Sequence, residues 1–338
     1  MAAQTRLLAA NAVFAARFVP VWLATAALCV VAAIFAPDAL RSTSWSFVLP
    51  EATVLAVAAL GQMLVVMHGG IDLSTPAVIS FGGNLIAGVG SDHSLFVAIL
   101  ACLAVGVIVG LANGILVGLL RLNPLIVTLA VGQIVLAWSS KYSRDVVTGQ
   151  PQVPGGLSSW ASHRQLGISN VFWTGVAIAI VVALVLRYTT AGRRFQAVGA
   201  NRRAAWMAGL HVRAYVVLAY VAAGTLYAIG AVLLAGISGS IDPAFGSAYL
   251  LAPIAAVVIA GASLSGGLAS ATSTWIAALA LTLLTQMLVI MGLTAAMQYV
   301  VFGAAIIAGM VVSGDRVAAV LSRGLRPAKP PPREAAAQ

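Results

Sequence analysis

Trp275-Ile276-Ala277-Ala278-Leu279-Ala280-Leu281-Thr282-Leu283-Leu284-Thr285-Gln286-Met287-Leu288-Val289-Ile290-Met291 decides the fold class. It lies inside 72 consecutive residues, Pro243 to Gly314, that contain no Asp, Glu, Lys or Arg. No soluble core needs such a run. The hydrocarbon layer of a bilayer is about 30 Å thick and a helix rises about 1.5 Å per residue, so roughly 20 apolar residues cross it once. The run has room for three crossings, with turns at Gly261-Ala262-Ser263-Leu264-Ser265-Gly266-Gly267 and at Gly292-Leu293-Thr294. The chain is therefore expected to be a multi-span membrane protein.

The rest of the 338 residues agree: 61% are hydrophobic and 8% charged, with a mean hydropathy of +1.04, whereas soluble domains carry about 25% charged residues. Apolar runs bounded by charges, Gly or Pro predict spans near 19–36, 48–67, 76–90, 95–119, 125–140, 170–187, 214–236, 250–262, 268–291 and 297–313. The fold class expected is all-α, with about ten transmembrane helices and broken or re-entrant segments. Ten spans put both termini on one side. With the amino terminus inside, 14 Lys and Arg fall in inner segments and only Arg41, Lys141, Arg144 and Arg164 fall outside, so the positive-inside rule makes that side the cytoplasm. This placement accounts for the net charge of +10 without nucleic acid.

Three regions follow: a cytoplasmic N-terminus at 1–18, a transmembrane domain at 19–313 with an inner loop at 188–213, and a basic, Pro-rich cytoplasmic tail at 314–338 that is expected to have no fold of its own. The basic stretch Met1 to Arg17 precedes an apolar run too long for a typical cleaved signal, which reads instead as the first span. Cys29 and Cys102 lie inside apolar runs and read as buried thiols. The outer loop near 141–169 contains Gly149-Gln150-Pro151-Gln152-Val153-Pro154-Gly155-Gly156, turn chemistry that could cover the outer mouth.

Three motifs stand out. Gly69-Gly70-Ile71-Asp72-Leu73-Ser74-Thr75-Pro76 reads as a break between two helices. Its glycines suit a helix end, Ser74 or Thr75 a cap, and Pro76 a first turn. An ionised Asp at the bilayer centre costs roughly 2.5 to 3.5 kcal/mol, so Asp72 must sit near the inner interface, bind freed amides or face water. It is either a tie for the turn or a group that gates solute. In the inner loop, Gly192-Arg193-Arg194-Phe195-Gln196-Ala197-Val198-Gly199-Ala200-Asn201 leads to Arg202-Arg203-Ala204-Ala205-Trp206-Met207-Ala208-Gly209. Asn201 and Gly209 bracket a helix of about two turns. Arginines in its first turn oppose the helix dipole, which suggests an external partner or an anionic lipid surface. The third motif, Gly261 to Gly267, echoes the first and suits close helix approach.

Gln62, Asn84, Asn113, Gln133, Gln286 and Gln298 either line a polar path or bond between helices. His68, His93, His163 and His211 lack paired-ligand spacing, so no metal site is expected. The only lysines, Lys141 and Lys329, follow Ser140 and Ala328, so GxxxxGK[ST] is absent. Any ATP would be hydrolysed elsewhere. No GxSxG nucleophile motif is present either, and an enzyme is not expected.

In this order the motifs resemble those of the membrane permease subunit of bacterial ABC importers in the ribose, xylose and arabinose family. The matching residues are Gly61-Gln62, Gly69-Gly70-Ile71-Asp72-Leu73-Ser74, Ala112-Asn113-Gly114, Asn123-Pro124-Leu125-Ile126-Val127-Thr128-Leu129, the Gly192 to Gly209 loop, and Asp242-Pro243 through Ala255-Ala256-Val257-Val258-Ile259 to Ser263-Leu264-Ser265-Gly266-Gly267. The resemblance covers most of the chain. It implies a core of two permease copies in the inner membrane, cytoplasmic ATPase subunits carrying ATP and Mg, an external solute-binding protein, and no cofactor on this chain. Gly192, Arg193, Arg194, Gly199, Asn201, Ala204, Ala205 and Gly209 would form the ATPase-coupling loop. Gln62, Gly69, Gly70, Asp72, Ser74 and Asn113 would form the translocation path or gate. The chain departs from the family at Leu250 and Ala252, where acids often follow the tyrosine, and at Leu268, where Arg is frequent; these changes bear on the substrate. A monosaccharide is the expected solute. The alternatives are a branched-chain amino acid or nucleoside permease of the same architecture, and an ion-coupled secondary transporter for which Asp72 would be the coupling carboxylate.

Overall fold

The computed structural model describes residues 2–146, 152–242, 245–267 and 269–313. Ten helices answer to the ten apolar runs: α1 (Ala2–Phe35), α2 (Ser42–Met67), α3 (Thr75–Asp92), α4 (Leu95–Gly114, prolonged by a π-helical turn at Ile115–Leu119), α5 (Pro124–Val146), α7 (Asn170–Tyr188), α10 (Val212–Ser238), α11 (Ala252–Ile259), α12 (Ala271–Ile290) and α13 (Ala295–Ser313). Three more lie in loops: α6 (Gly155–Ser162), α8 (Thr190–Ala200) and α9 (Arg202–Met207). An antiparallel hairpin, β1 (Arg164–Gln165) and β2 (Ile168–Ser169), completes the loop before α7.

Three expectations are corrected. Helix α1 already begins at Ala2, so the basic amino-terminal stretch and the first span form one helix. The run at 250–262 is not one full-length span: α11 has 8 residues, about 12 Å at 1.5 Å per residue, so the chain passes from Gly239 to Gly267 as a broken segment. A 3-10 turn at Ser247–Tyr249 leads into α11 and Gly261, at φ +85°, ends it. Among the described residues seven helices are long and apolar enough to span a bilayer, while Thr75–Gly90 and Ser247–Ile259 are apolar but shorter. Finally, the inner loop holds two helices. Composition pointed only to α9, because α8 is polar and its Thr189 cap, which accepts from the Gly192 N–H at 2.9 Å, follows directly on α7. The stretch at 147–151 and the tail at 314–338 lie outside the described residues.

Helix α2 is the axis of the molecule. Of its most apolar stretch, 89% is buried, against 17% for the membrane part of α1 and 28% for α4 with its π turn. It packs against α7, α10, α11 and α12. Its neighbour α10 makes the tightest seam in the molecule, with α4. Gly106, Gly110, Gly114 and Gly118 recur every fourth residue and so share one face of α4. A Cβ at Gly106 would stand 2.3 Å from the Gly224 carbonyl oxygen, one at Gly224 only 2.1 Å from the Gly106 oxygen, and one at Gly110 2.4 Å from the Tyr220 oxygen. The two backbones touch, as helices do in membranes when small residues line the contact. The loop before α7 lies over the far end of α10, where the Val153 N–H donates to the Gly239 carbonyl at 3.0 Å.

Candidate functional site

Motifs that are scattered along the chain meet where α2 stops. The stop is built by glycine: Gly69, at φ +67°, lets its N–H reach the Val66 carbonyl (2.8 Å) while the Gly70 N–H reaches Val65 (3.2 Å), the 6→1 and 5→2 pair of a Schellman end. Seven non-helical residues, 68–74, separate α2 from α3, which begins at Thr75. This segment is enclosed, so its polar groups need partners. Asp72, 1% exposed, supplies the first. Its Oδ1 accepts from the Ser74 N–H (2.8 Å) and the Ser74 hydroxyl (2.6 Å).

Ser74 is the N-cap of α3 by position, but its side chain makes no cap hydrogen bond. It is turned instead toward Asp72 and accepts from Asn113 Nδ2 of α4 at 2.9 Å. From α5, Thr128 Oγ1 accepts the Leu73 N–H at 3.0 Å and lies 2.9 Å from the Pro124 carbonyl, which takes its proton. From α2 itself, the Gln62 amide, oriented to satisfy its neighbours, pairs with both backbone groups of Asp72 at 3.0 and 3.1 Å and donates to the Tyr227 hydroxyl at 3.1 Å. Gly61 makes room for the Tyr227 ring, since a Cβ there would lie 2.6 Å from it; Gly70 does the same for the Tyr220 hydroxyl at 2.4 Å. Four helices thus hold one break.

Not every group is satisfied. Asp72 Oδ2, Asn113 Oδ1 and the Tyr220 hydroxyl are buried without a hydrogen-bond partner in the protein. The other polar candidates separate. Asn84 bonds Ser139 between α3 and α5 at 2.9 Å, a structural tie. Gln133 is exposed on α5, and Gln286 and Gln298 are half-buried away from the break. Thr128, Tyr220 and Tyr227 belong to the site and were not singled out from the sequence; the seven-residue spacing of the tyrosines along α10 was the available signal.

The candidates of the loop between α7 and α10 form a second constellation. As expected, Asn201 caps α9, accepting from the Ala204 N–H at 2.9 Å, and Gly209 ends it at φ +78°. Helix α8 is held at its base: Gly192 leaves no room for a Cβ beside the Val185 carbonyl (2.0 Å), and Arg193 Nη1 donates to the Tyr188 carbonyl at 3.1 Å. Arg194 is exposed, whereas Phe195, Val198 and Ala205 are buried. The pair presents Trp206 and Met207 outward, 70% and 69% exposed. Arg202 departs from expectation. Its guanidinium finds a partner inside the chain, donating from Nη2 to the His68 carbonyl at the end of α2. A cation at a helix C-terminus is favoured by the dipole.

His68 itself is buried, its ring edge-on to Phe195 with centroids 4.3 Å apart. Burial, with the Arg202 charge acting in the same direction, pushes the imidazole down to about 4, so it is neutral near pH 7. Gly199 sits so close that a Cβ would meet the Met67 carbonyl at 2.4 Å. The same carbonyl accepts the Gly267 N–H at 2.8 Å. The third motif, Gly261 to Gly267, is therefore a contact for the end of α2, in keeping with the close approach expected of it. Leu268 lies outside the described residues.

A helix break held from four helices, with the short helix pair α8 and α9 resting on it, belongs to a multi-pass membrane protein with seven helices long and apolar enough to span a bilayer among the described residues. The chain belongs to the family described as branched-chain amino acid transport system / permease component, whose family model matches residues 44–310. It is 27% identical over 272 residues to the ribose import permease protein RbsC of Escherichia coli (strain K12), covering 80% of this chain and 85% of that one. With the ribose import permease protein RbsC of Bacillus subtilis (strain 168) it shares 30% identity over 299 residues, 86% and 91% of the two chains. With the L-arabinose ABC transporter permease protein AraH of Azospirillum brasilense it shares 28% over 270 residues, 79% and 78%. No solved structure matches the chain.

Proposed function

We propose that this chain is the permease subunit of an ATP-driven importer in the bacterial inner membrane, passing a monosaccharide inward by alternating access. ATP and Mg act on separate cytoplasmic ATPase subunits, an external binding protein delivers the solute, and two permease copies form the core. Both termini are cytoplasmic, residues 19–313 form the transmembrane domain, and 188–213 form the coupling loop. The chain itself makes and breaks no covalent bond. The names of its relatives support a sugar such as ribose or arabinose.

The observation that carries the reading is α9: a short helix on a rigid base, offering Trp206 and Met207 to a partner. An exposed Trp beside an exposed Met, with basic residues around them, is what a protein-docking anchor looks like, and tryptophans of this kind carry a large share of binding energy. Replacing Trp206 by Ala is expected to weaken ATPase docking by about 2 kcal/mol, roughly 30-fold, without loss of the permease from the membrane. Copurification of the ATPase with parent and variant checks it; equal recovery would remove α9 from the interface. The decisive test of the function is uptake of labelled ribose, arabinose and xylose into vesicles holding permease, ATPase and binding protein, with and without internal ATP. Uptake that ignores ATP would favour ion coupling.

Orientation is tested separately. Cysteines at Gly156 and Ala204, both exposed, are introduced with Cys29 and Cys102 replaced. An impermeant thiol reagent outside intact cells is expected to label position 156 and spare 204, as the Lys and Arg split requires. The reverse pattern inverts the topology and removes the docking role of α9.

A further inference from the structure

We propose that Arg202 is a positioning residue that couples the cytoplasmic helix pair to the helix break, so that movement imposed on α9 is delivered to the Gly69–Asp72 segment through the His68 carbonyl. The inference rests on the docking role proposed for α9 and says where the docked partner's motion goes.

Three chain segments cross at the end of α2, and α8 and the Gly266–Gly267 turn touch it through backbone. The Met67 carbonyl accepts from the Gly267 N–H, while the next carbonyl, of His68, accepts from the Arg202 side chain. A Cβ at Gly199 would be 2.4 Å from the Met67 carbonyl, one at Gly266 3.0 Å from the Gly199 oxygen and 3.3 Å from the Gly69 nitrogen, and one at Gly267 3.1 Å from Ala200 Cα. Contacts of backbone on backbone have no side-chain rotamers to absorb a displacement. The α2 side is equally stiff, a helix buried along most of its length.

The compliant part is the next stretch of chain. Gly69, Gly70 and Ile71 are non-helical, and the first of them uses the left-handed conformation that glycine adopts freely. Beyond them, Asp72, Leu73 and Ser74 are tied to Asn113 of α4 and Thr128 of α5. A pull on the His68 carbonyl is thus taken up between residue 68 and residue 72, and passes on to α4 and α5. A second observation concerns the same junction: the His68 side chain is 3% exposed, yet neither ring nitrogen has a hydrogen-bond partner among the described residues. A neutral imidazole carries a donor and an acceptor, and burying both unpaired is costly. A shift of Arg202 and Phe195 against His68 changes what those nitrogens can reach.

The test uses the complete transporter in vesicles and reads solute moved per ATP hydrolysed, a ratio that a merely structural lesion leaves alone because it lowers both rates together. Arg202→Ala is expected to lower the ratio about tenfold, within the 5- to 150-fold range of coupling between sites, while the ATPase copurifies at the parent level. Arg202→Lys keeps a donor that can reach one carbonyl and is expected to recover most of the ratio. An unchanged ratio in Arg202→Ala overturns the proposal, whatever the absolute rates. So does a fall in ATPase recovery that matches the fall in uptake, which would make Arg202 a docking residue, or failure of the variant to accumulate in the membrane, which would make the contact one of assembly. If the parent itself shows no ATP-dependent uptake, the functional reading falls first and this inference with it.

Discussion

A leucine at Gly106 or Gly224 is expected to remove nearly all folded protein from the membrane. At these two positions the added Cβ alone would meet backbone oxygen at 2.3 and 2.1 Å, well inside van der Waals contact, and no rotamer relieves it. The helices α4 and α10 would have to separate. Overpacking by a single methyl typically costs about 1 to 3 kcal/mol, so even Gly106→Ala should be measurably less stable in a detergent melt. Leucine adds three more carbons to the same seam, and separation there would also drag Tyr220 and Tyr227 away from the break. Gly303 is the control, since a Cβ there meets nothing within 4 Å. Equal yields of Gly106→Leu and Gly303→Leu by fluorescence-detected size exclusion would show that the seam can open.

The second large effect is expected at Asp72, where two substitutions part company. Asp72→Ala removes the acceptor of both the Ser74 N–H and the Ser74 hydroxyl, and each buried donor left unpaired costs about 1 to 3 kcal/mol. Asp72→Asn keeps an oxygen at Oδ1, so both bonds survive. Assembly should therefore fail or weaken with Ala and persist with Asn, and ATP-dependent uptake should be reduced but present in Asp72→Asn. If the carboxylate instead couples an ion, Asn should abolish uptake as fully as Ala while assembly stays normal. That outcome, together with uptake by the parent that needs no ATPase, would overturn the importer reading.

Much of the molecule was legible before any coordinates, and the failures have physical causes. Apolar runs located ten helices because burial in lipid leaves a composition signal along each segment. The same signal cannot tell one full-length helix from a broken segment, so it assigns 250–262 a whole span: the turn at Ser247–Tyr249 and the stop at Gly261 shorten α11 without making it less apolar. Glycine at 106, 110, 114 and 118 was in plain view as a small-residue face, but only the partner backbone reveals its weight. The motifs around Gln62, Asp72, Asn113 and Thr128 were each readable as local features. Their convergence was not, because it depends on where α4, α5 and α10 are placed, and Gln62 and Tyr227 lie 165 positions apart. Arg202 was read as calling for an outside partner because its own helix disfavours it; the compensating helix end, at His68, is 134 positions away.

The burial of α2 has a consequence for how the chain is made. Its mean hydropathy is 1.7, against 2.9 for the Leu95–Leu119 span, although it is the more enclosed of the two. A helix wrapped in protein does not need to be greasy; a helix still waiting for its neighbours does. Ribosomes release α2 long before α10 and α12, which begin at Val212 and Ala271, so during synthesis the least lipid-loving of these two spans stands in lipid without the partners that will cover it. Until α10 arrives, Gln62 lacks its Tyr227 partner. Nascent chains truncated between α9 and α10 should be quality-control substrates, and the polar break that serves the finished protein is the part of the chain most exposed to that hazard.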